Sequence, residues 1–282
     1  MHPNLIDLPA RHFNVLWNDV LTIGGVAMTI VISPYWARRS EGLDPRAVRR
    51  ALLLLGLVAL LGGRLHFLLN HAAMFADRPL DALKPTGGYH IGGGILAVAL
   101  AMPWITRRLG LPLGRFADAI IPGIGLAIAM ARTGCLLHGC CFGQVTDAPW
   151  AVVFPFDSSV HRFHVETERL APDALVSLPV HPLQIYFGAI GLLLIVGALW
   201  LQPRRAYPGQ VALLALVVFS ASTVLLERFR ESYGASPLWG PFTQLEWTAL
   251  ALTAVAVVGL GVAEVLHRRS ARRTVFATPP SA

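Results

Sequence analysis

Leu183-Gln184-Ile185-Tyr186-Phe187-Gly188-Ala189-Ile190-Gly191-Leu192-Leu193-Leu194-Ile195-Val196-Gly197-Ala198-Leu199-Trp200-Leu201 is a run of 19 residues without a charged side chain. About 20 apolar residues in a helix cover the hydrocarbon of a bilayer, so this run reads as a membrane span. The chain around it has the same character. Of its 282 residues 55% are apolar and 14% charged, and its mean hydropathy is +0.58. An ordinary soluble domain carries about 25% charged residues, so a soluble globule and a disordered chain are both excluded. What remains is an integral membrane protein.

Working outward, six further apolar stretches can be marked: Asn14 to Trp36, Ala51 to Leu69, Ile91 to Ile105, Phe116 to Leu137, Val211 to Leu226 and Leu245 to Leu266. The expected fold is all-α, with seven transmembrane helices in a single membrane-embedded domain over residues 1–266. The third stretch is short and glycine-rich from Gly92 to Gly94. Such a span can begin as broken or re-entrant backbone, which a bilayer tolerates only where protein or water satisfies the freed peptide groups. The first is read as a real helix and not as a cleaved signal sequence, because Asn14, Asn18 and Asp19 interrupt its start and no small-residue cleavage pattern follows. No repeat, low-complexity tract or soluble catalytic domain is found, and residues 267–282 are expected to form a basic, disordered tail.

Arginines fix the orientation. Arg38, Arg39, Arg46, Arg49 and Arg50 follow the first stretch, Arg107, Arg108 and Arg115 the third, Arg204 and Arg205 the fifth, and Arg268, Arg269, Arg272 and Arg273 the last, which places 14 of the 23 basic residues on one side. By the positive-inside rule those connections are cytoplasmic. The N-terminus and the long segment from Gly139 to Pro182, between the fourth and fifth helices, are then outside, and the C-terminus is cytoplasmic. The net charge of +7 invites a nucleic-acid reading. The basic residues sit in short clusters between apolar stretches, however, so the charge belongs to topology and no nucleic acid is expected as a partner.

The informative polar residues are those embedded in apolar runs. Arg64 and His66 lie in Leu61-Gly62-Gly63-Arg64-Leu65-His66-Phe67, Arg132 lies in Ala131-Arg132-Thr133-Gly134-Cys135, and Glu227, Arg228, Arg230 and Glu231 cluster where the sixth stretch ends. All fall toward the outer half of the bilayer. An arginine within a span costs at least ~2.5 kcal/mol unless it snorkels, pairs or meets an anion, so several at one depth point to a shared anionic ligand. A phospholipid headgroup is the anion at hand. The competing reading is structural: Arg228 and Arg230 pair with Glu227 and Glu231 or snorkel to the interface, and His66 is a hydrogen-bonded core histidine. For Arg132 the structural reading is weaker, because Gly134 and Gly139 beside it imply close backbone packing.

All three cysteines fall in Arg132-Thr133-Gly134-Cys135-Leu136-Leu137-His138-Gly139-Cys140-Cys141-Phe142-Gly143. Three thiols and an imidazole within seven positions fit a soft-metal site, a disulfide, a nucleophile or small apolar filling, and spacing alone does not choose. Cys-x4-Cys-Cys is not a recognised zinc pattern, and the adjacent Cys140 and Cys141 would rarely pair with each other without strain.

At these residues the chain resembles a family, the prolipoprotein diacylglyceryl transferases of bacterial inner membranes, and the likeness runs from about Asn14 to Leu266. Gly63-Arg64-Leu65-His66 is similar to the family's Gly-Arg-Leu/Ile-Gly. Gly87-Gly88 followed by Gly92-Gly93-Gly94 is similar to its paired Gly-Gly segments. Ala131 to Gly143 matches in outline the signature Gly-Arg-x-Gly-Asn-Phe-x-Asn-Gly-Glu-x-x-Gly. His181-Pro182-Leu183-Gln184-Ile185-Tyr186 is close to His-Pro-Ser-Gln-x-Tyr, and Glu227-Arg228-Phe229-Arg230 mirrors a Glu-x-x-Arg. The departures are as specific. The family's two asparagines and glutamate fall at Cys135, His138 and Cys140, and the histidine ahead of its second Gly-Gly, a proposed catalytic residue, falls at Gly92 or Ile91 with His90 nearby. This chain reads as a cysteine-bearing branch.

The resemblance implies a multi-pass protein of the bacterial cell inner membrane. Its partners would be phosphatidylglycerol, prolipoprotein signal peptides and membrane lipids, and no cofactor is implied. The diacylglyceryl group of phosphatidylglycerol would pass to the thiol of a lipobox cysteine, releasing glycerol phosphate. A free thiol is only a few per cent thiolate at neutral pH, so a base or cationic surroundings should help. Arg132 and Arg230 are expected to stabilise the departing phosphate, for which arginine forks suit better than the chain's one lysine. His90 and His138 are the candidate bases. Arg64, His66, Gly134, Gly139, Gly143, Gln184, Tyr186 and Glu227 are expected to bind substrate, while His181 caps a helix start and His161 and His164 lie in an exposed outer loop. Two other readings stay open: the same lipid cavity serving a different acceptor, with a cysteine as nucleophile or redox pair, and a membrane protein that uses its Cys/His cluster to handle thiol redox or a soft metal. Replacing the three cysteines by serine separates them from the first.

Overall fold

The structure is a computed structural model that describes residues 4–8, 13–75, 79–84, 88–231 and 240–277. Gly87, half of one expected Gly-Gly pair, lies outside the described residues. The chain begins with a hairpin: β1 (Asn4–Leu8) pairs antiparallel with β2 (Phe13–Leu16), setting Asp7 opposite Asn14. The helix expected from Asn14 therefore starts three residues later, at Trp17. Phe13 and Val15 suit a strand, and Asp19 in the first turn that follows suits the positive end of a helix.

Eight helices follow among the described residues: α1 (Trp17–Glu41), α2 (Pro45–Asn70), α3 (Ile91–Arg108), α4 (Leu113–His138), α5 (Ser159–Glu166), α6 (Leu183–Leu201), α7 (Gln210–Glu227) and α8 (Gln244–Ala277). Their ends are written in the sequence. Gly42 adopts φ +67° and donates its N–H to Arg38 O at 3.1 Å, closing α1. Asp44 opens α2 by accepting the N–H groups of Arg46 (3.1 Å) and Ala47 (3.2 Å), with Pro45 at the first helical position. The last helix runs on to Ala277, well into the stretch read from the sequence as a tail.

Six helices, α1, α2, α4, α6, α7 and α8, are long and apolar enough to cross a membrane. The third of the seven expected spans is not among them: α3 has 18 residues, three glycines in its first turn, Pro103 inside and two arginines at its end. Side chains such as Leu192, Leu193 and Val196 of α6 and Leu57, Leu60 and Leu61 of α2 point outward uncovered, which suits acyl chains and not water.

The backbone forms two compact units. One comprises residues Ile30–Ala119, the other Met1–Thr29 with Ile120–Ala282. In the first, α2 lies against α3 at glycines. A Cβ on Gly94 would stand 2.9 Å from Ala59 O, and one on Gly93 would run into His66 Cβ. Small residues are how membrane helices bring their backbones together. In the second unit α4 crosses α6 in the same manner, since a Cβ on Gly125 would stand 2.6 Å from Gly191 O. Ile121, Leu194, Ala198 and Val211 form the core there. Ser220 of α7 and Thr253 of α8 share a 2.7 Å hydroxyl contact. The segment between α4 and α6 has its own small core of Phe142, Phe154, Val160 and Val180, with α5 against it.

Candidate active site

The end of α4 is built by a glycine turn. Gly139, at φ +76°, follows the last helical residue; Cys140 N–H reaches back to Cys135 O (3.1 Å) and Gly139 N–H to Leu136 O (3.3 Å), the paired bonds of a Schellman cap. One turn earlier, a Cβ on Gly134 would stand 2.8 Å from Asn18 Cα of α1, and the Cys135 thiol donates to Asn18 Oδ1 at 3.3 Å. Two of the glycines expected to bind substrate thus act in packing and in ending the helix. Gly143 acts in the same way: a Cβ there would meet His181 Cβ at 2.6 Å and Phe229 O at 2.7 Å.

That last contact positions the site. Gly143 N–H bonds His181 O (2.9 Å), Gln144 N–H bonds Phe229 O (2.8 Å), and Gly143 bridges Arg230 in a single antiparallel step. The cysteine segment, the start of α6 and the end of α7 are tied together by backbone. On this frame the guanidinium of Arg132 lies over the Phe187 ring, 4.5 Å from its centroid, and that of Arg230 lies 6.0 Å from the same centroid. The two arginines named from the sequence meet on one aromatic platform.

Their partners differ. Arg230 Nε donates to both oxygens of Glu227, at 2.6 and 2.7 Å, and the Glu227 side chain is 5% exposed. The pairing of Arg230 weighed as the structural alternative is therefore real, and Glu227 acts as an anchor for that arginine. Arg132 is half-buried and, among the described residues, has no carboxylate partner. An arginine in a span without a carboxylate partner is poised for an external anion. Arg228 and Glu231 find other partners: Arg228 pairs with the buried Glu246 at 2.9 Å, and Arg169 with Glu231 at 3.0 Å.

The three cysteines are free and half-buried, with their sulfurs all within 4.8 Å of one another. Beyond the helix end, thiol hydrogen bonds from Cys135 and Cys140, followed by the field of Arg132 and Arg230, hold Cys141 well below the usual thiol range. Its two thiol neighbours push Cys140 up. Gln184 is 1% exposed and donates from Nε2 to Cys140 O at 2.7 Å. Tyr186 instead lines an open apolar cleft of about 290 Å³ with Trp150, His181 and Phe229, and its hydroxyl accepts the Trp150 indole N–H at 2.7 Å. His181 Nδ1 lies 3.3 Å from that hydroxyl, so His181 belongs to the cleft; no side-chain cap at the start of α6 comes from it.

The two candidate bases part company. His138 lies six positions after Arg132 on α4, about 120° away around the helix, whereas Cys135 is about 60° away. Its Nε2 contacts Ser159 Oγ of α5 at 3.3 Å, so it ties α4 to the segment between α4 and α6. His164 is fully buried, not exposed as a loop histidine would be. Its Nδ1 accepts Leu178 N–H at 3.3 Å, and burial, then Arg169, lowers its pKa.

His90, Arg64 and His66 belong to the unit of residues 30–119. The Arg64 guanidinium donates to three carbonyls, Gly88 O (3.0 Å), Ala82 O (2.9 Å) and Lys84 O (2.8 Å), which supplies the oxygens for which an anion was invoked. His90 stands ahead of α3 with its imidazole unused in capping, and its N–H bonds Gly63 O at 3.0 Å. Its ring is 5.2 Å from that of His66 and 5.5 Å from that of His71. Burial, then these two neighbours, pull its pKa down, keeping it a neutral base at pH 7.

Phe187 was not singled out from the sequence. It sits one helical turn after Gln184, in the segment that was, and its role appears only when two arginines distant in sequence reach it. Asn18, read only as an interruption of the first span, is the partner of Cys135.

The chain matches the prolipoprotein diacylglyceryl transferase family over residues 3–262. It is 27% identical over 263 residues to the phosphatidylglycerol–prolipoprotein diacylglyceryl transferase of Bordetella avium, covering 91% of this chain and 92% of the relative. To the enzyme of that name from Vibrio atlanticus it is 29% identical, covering 86% and 83%. To that from Thermus thermophilus it is 30% identical, covering 79% and 81%. Since the match takes in nearly the whole sequence, and with it Arg64, His90, Arg132, His138 and Arg230, this chain belongs to the prolipoprotein diacylglyceryl transferase family.

Proposed function

We propose that this protein crosses the bacterial inner membrane seven times, N-terminus outside and C-terminus in the cytoplasm, and transfers the diacylglyceryl group of phosphatidylglycerol to the lipobox cysteine thiol of a prolipoprotein. The clustering of arginines in alternate connections supports the orientation. The seventh crossing is α3, whose 18 residues give a length of about 27 Å against a hydrocarbon core of about 30 Å. The observation that carries the reaction is Arg132: a guanidinium in a span without an acid, on the same aromatic ring as Arg230.

In the transfer, the acceptor thiolate attacks the terminal glyceryl carbon that bears the phosphate ester. A C–S bond forms, the C–O bond breaks, glycerol phosphate departs, and the thiol proton goes to a base. The phosphate gains negative charge as the C–O bond lengthens, and Arg132 meets that charge with an unshared fork. Arg230, held by Glu227, offers its remaining N–H groups in a fixed direction. For that base the family likeness points to His90, which belongs to the unit of residues 30–119. It is the imidazole next to the position where the family's histidine is absent, and its depressed pKa keeps it unprotonated. Gln184 fixes the peptide at Cys140, and the cleft of Trp150, Tyr186, His181 and Phe229 receives an acyl chain.

The test is rescue: the chain is expressed in cells depleted of their own transferase, and lipoprotein mass is followed. A diacylglyceryl increment that disappears with Arg132→Ala is the expected result. Absence of any increment from membrane-inserted protein sinks the proposal.

A further inference from the structure

The family signature places asparagine and glutamate where this chain has Cys135 and Cys140, and the structure gathers those thiols with Cys141. We propose that Cys135, Cys140 and Cys141 form a three-thiolate site for a soft, thiophilic metal ion, monovalent copper foremost.

The sulfurs lie within 4.8 Å of one another. A metal bound at about 2.3 Å to three sulfurs in a plane sets them ~4 Å apart, so a small inward rotation of the side chains closes the site. Two neighbouring residues in extended backbone would point to opposite sides. Here Cys141 takes φ +58°, a left-handed conformation costing a non-glycine residue about 1–2 kcal/mol, and both Cys140 and Cys141 turn toward Cys135. Gln184 and the Schellman cap hold this backbone in place.

A disulfide would use two of the three sulfurs, whereas a metal uses all of them. Among the described residues no histidine or carboxylate joins the trio, and the nearest histidine in the chain, His138, contacts Ser159. Three soft ligands without a fourth suit copper(I) better than zinc, which takes four. On binding, the three thiols lose three protons, three S–Cu bonds form, and no electron changes hands. The resulting anionic complex, with net charge 2−, lies beside Arg132 and Arg230, which act electrostatically on Cys141.

The full-length protein, purified in detergent under argon with reductant, is titrated with copper(I) against a competing copper(I) chelator; zinc(II) is a parallel arm. The expected result is one copper per chain, a thiolate-to-copper absorption band in the near ultraviolet, and protection of all three thiols from maleimide. Cys135→Ser, Cys140→Ser and Cys141→Ser should each lose the band. Copper below half an equivalent in the wild-type protein, unprotected thiols, tighter binding of zinc than of copper, or a thiol pair found oxidised after anaerobic purification would each overturn the proposal. None of these readings requires lipid transfer, so the site can fail while the transferase stands, and the reverse.

Discussion

Arg132 and Arg230 share a ring but not an environment, and removing them should have different consequences. Arg230→Ala leaves Glu227, a carboxylate 5% exposed, without its cation. Breaking a buried pair from one side costs about 3–5 kcal/mol. Arg132→Ala leaves no acid behind among the described residues, and it removes a charge that a span holds at a cost of at least ~2.5 kcal/mol. Arg132→Ala should therefore keep or raise the unfolding temperature in detergent while lowering transfer about 10²- to 10³-fold, the loss typical of one transition-state donor. Arg230→Ala should lower both. Adding Glu227→Gln to Arg230→Ala should restore stability without restoring transfer. The assays are thermal unfolding of purified protein and incorporation of phosphatidylglycerol label into a lipobox peptide. If Arg132→Ala unfolds as readily as Arg230→Ala and still transfers lipid, Arg132 is a structural residue and the reasoning fails.

Gly125→Ala should destabilise the crossing of α4 and α6 by about 1–3 kcal/mol, because its methyl would stand 2.6 Å from Gly191 O, a backbone atom that cannot swing aside. Chemical denaturation in mixed micelles reads that loss. His90→Ala should slow transfer about 10²- to 10⁴-fold and abolish the acid limb of the pH–rate profile. Because the His90 pKa is lowered, that limb in the wild type should lie below pH 6.5; a limb unchanged in His90→Ala would assign the base elsewhere. His164 is buried in its neutral form, so its contribution to stability is complete above its ordinary pKa of 6.5 and is lost as pH falls through the lowered folded value. Limited proteolysis of the Gly139–Pro182 segment between pH 7.5 and 5 should show that loss, and His164→Gln should flatten it.

The spans were legible because a bilayer demands a single property, apolar length, that composition carries directly. Leu183–Leu201 is the same helix in sequence and in structure. Where another interaction competes, the reading slipped. Asn14 joined a strand because the hairpin offered its backbone a partner, and α3 stands apart from the six crossing helices because its glycines, proline and terminal arginines shorten the apolar run. Of the site, the identities of Arg132 and Arg230 were readable from their depth in apolar surroundings. Their roles depended on pairings across 43 to 55 positions, such as both with Phe187, that no local pattern encodes. For the same reason Arg64 looked poised for an anion until three carbonyls accounted for its fork.

The backbone stitch at Gly143 has a consequence for any attempt to edit this protein. Residues 143, 181 and 229 hang on one another through main-chain bonds that no side-chain swap can replace. A peptide tag inserted near Asp173, between α5 and α6, leaves that seam closed. One extra residue between Cys141 and Gln144 would slip that stitch by a step and put a residue other than Gly143 against His181 Cβ and Phe229 O, where a side chain has no room.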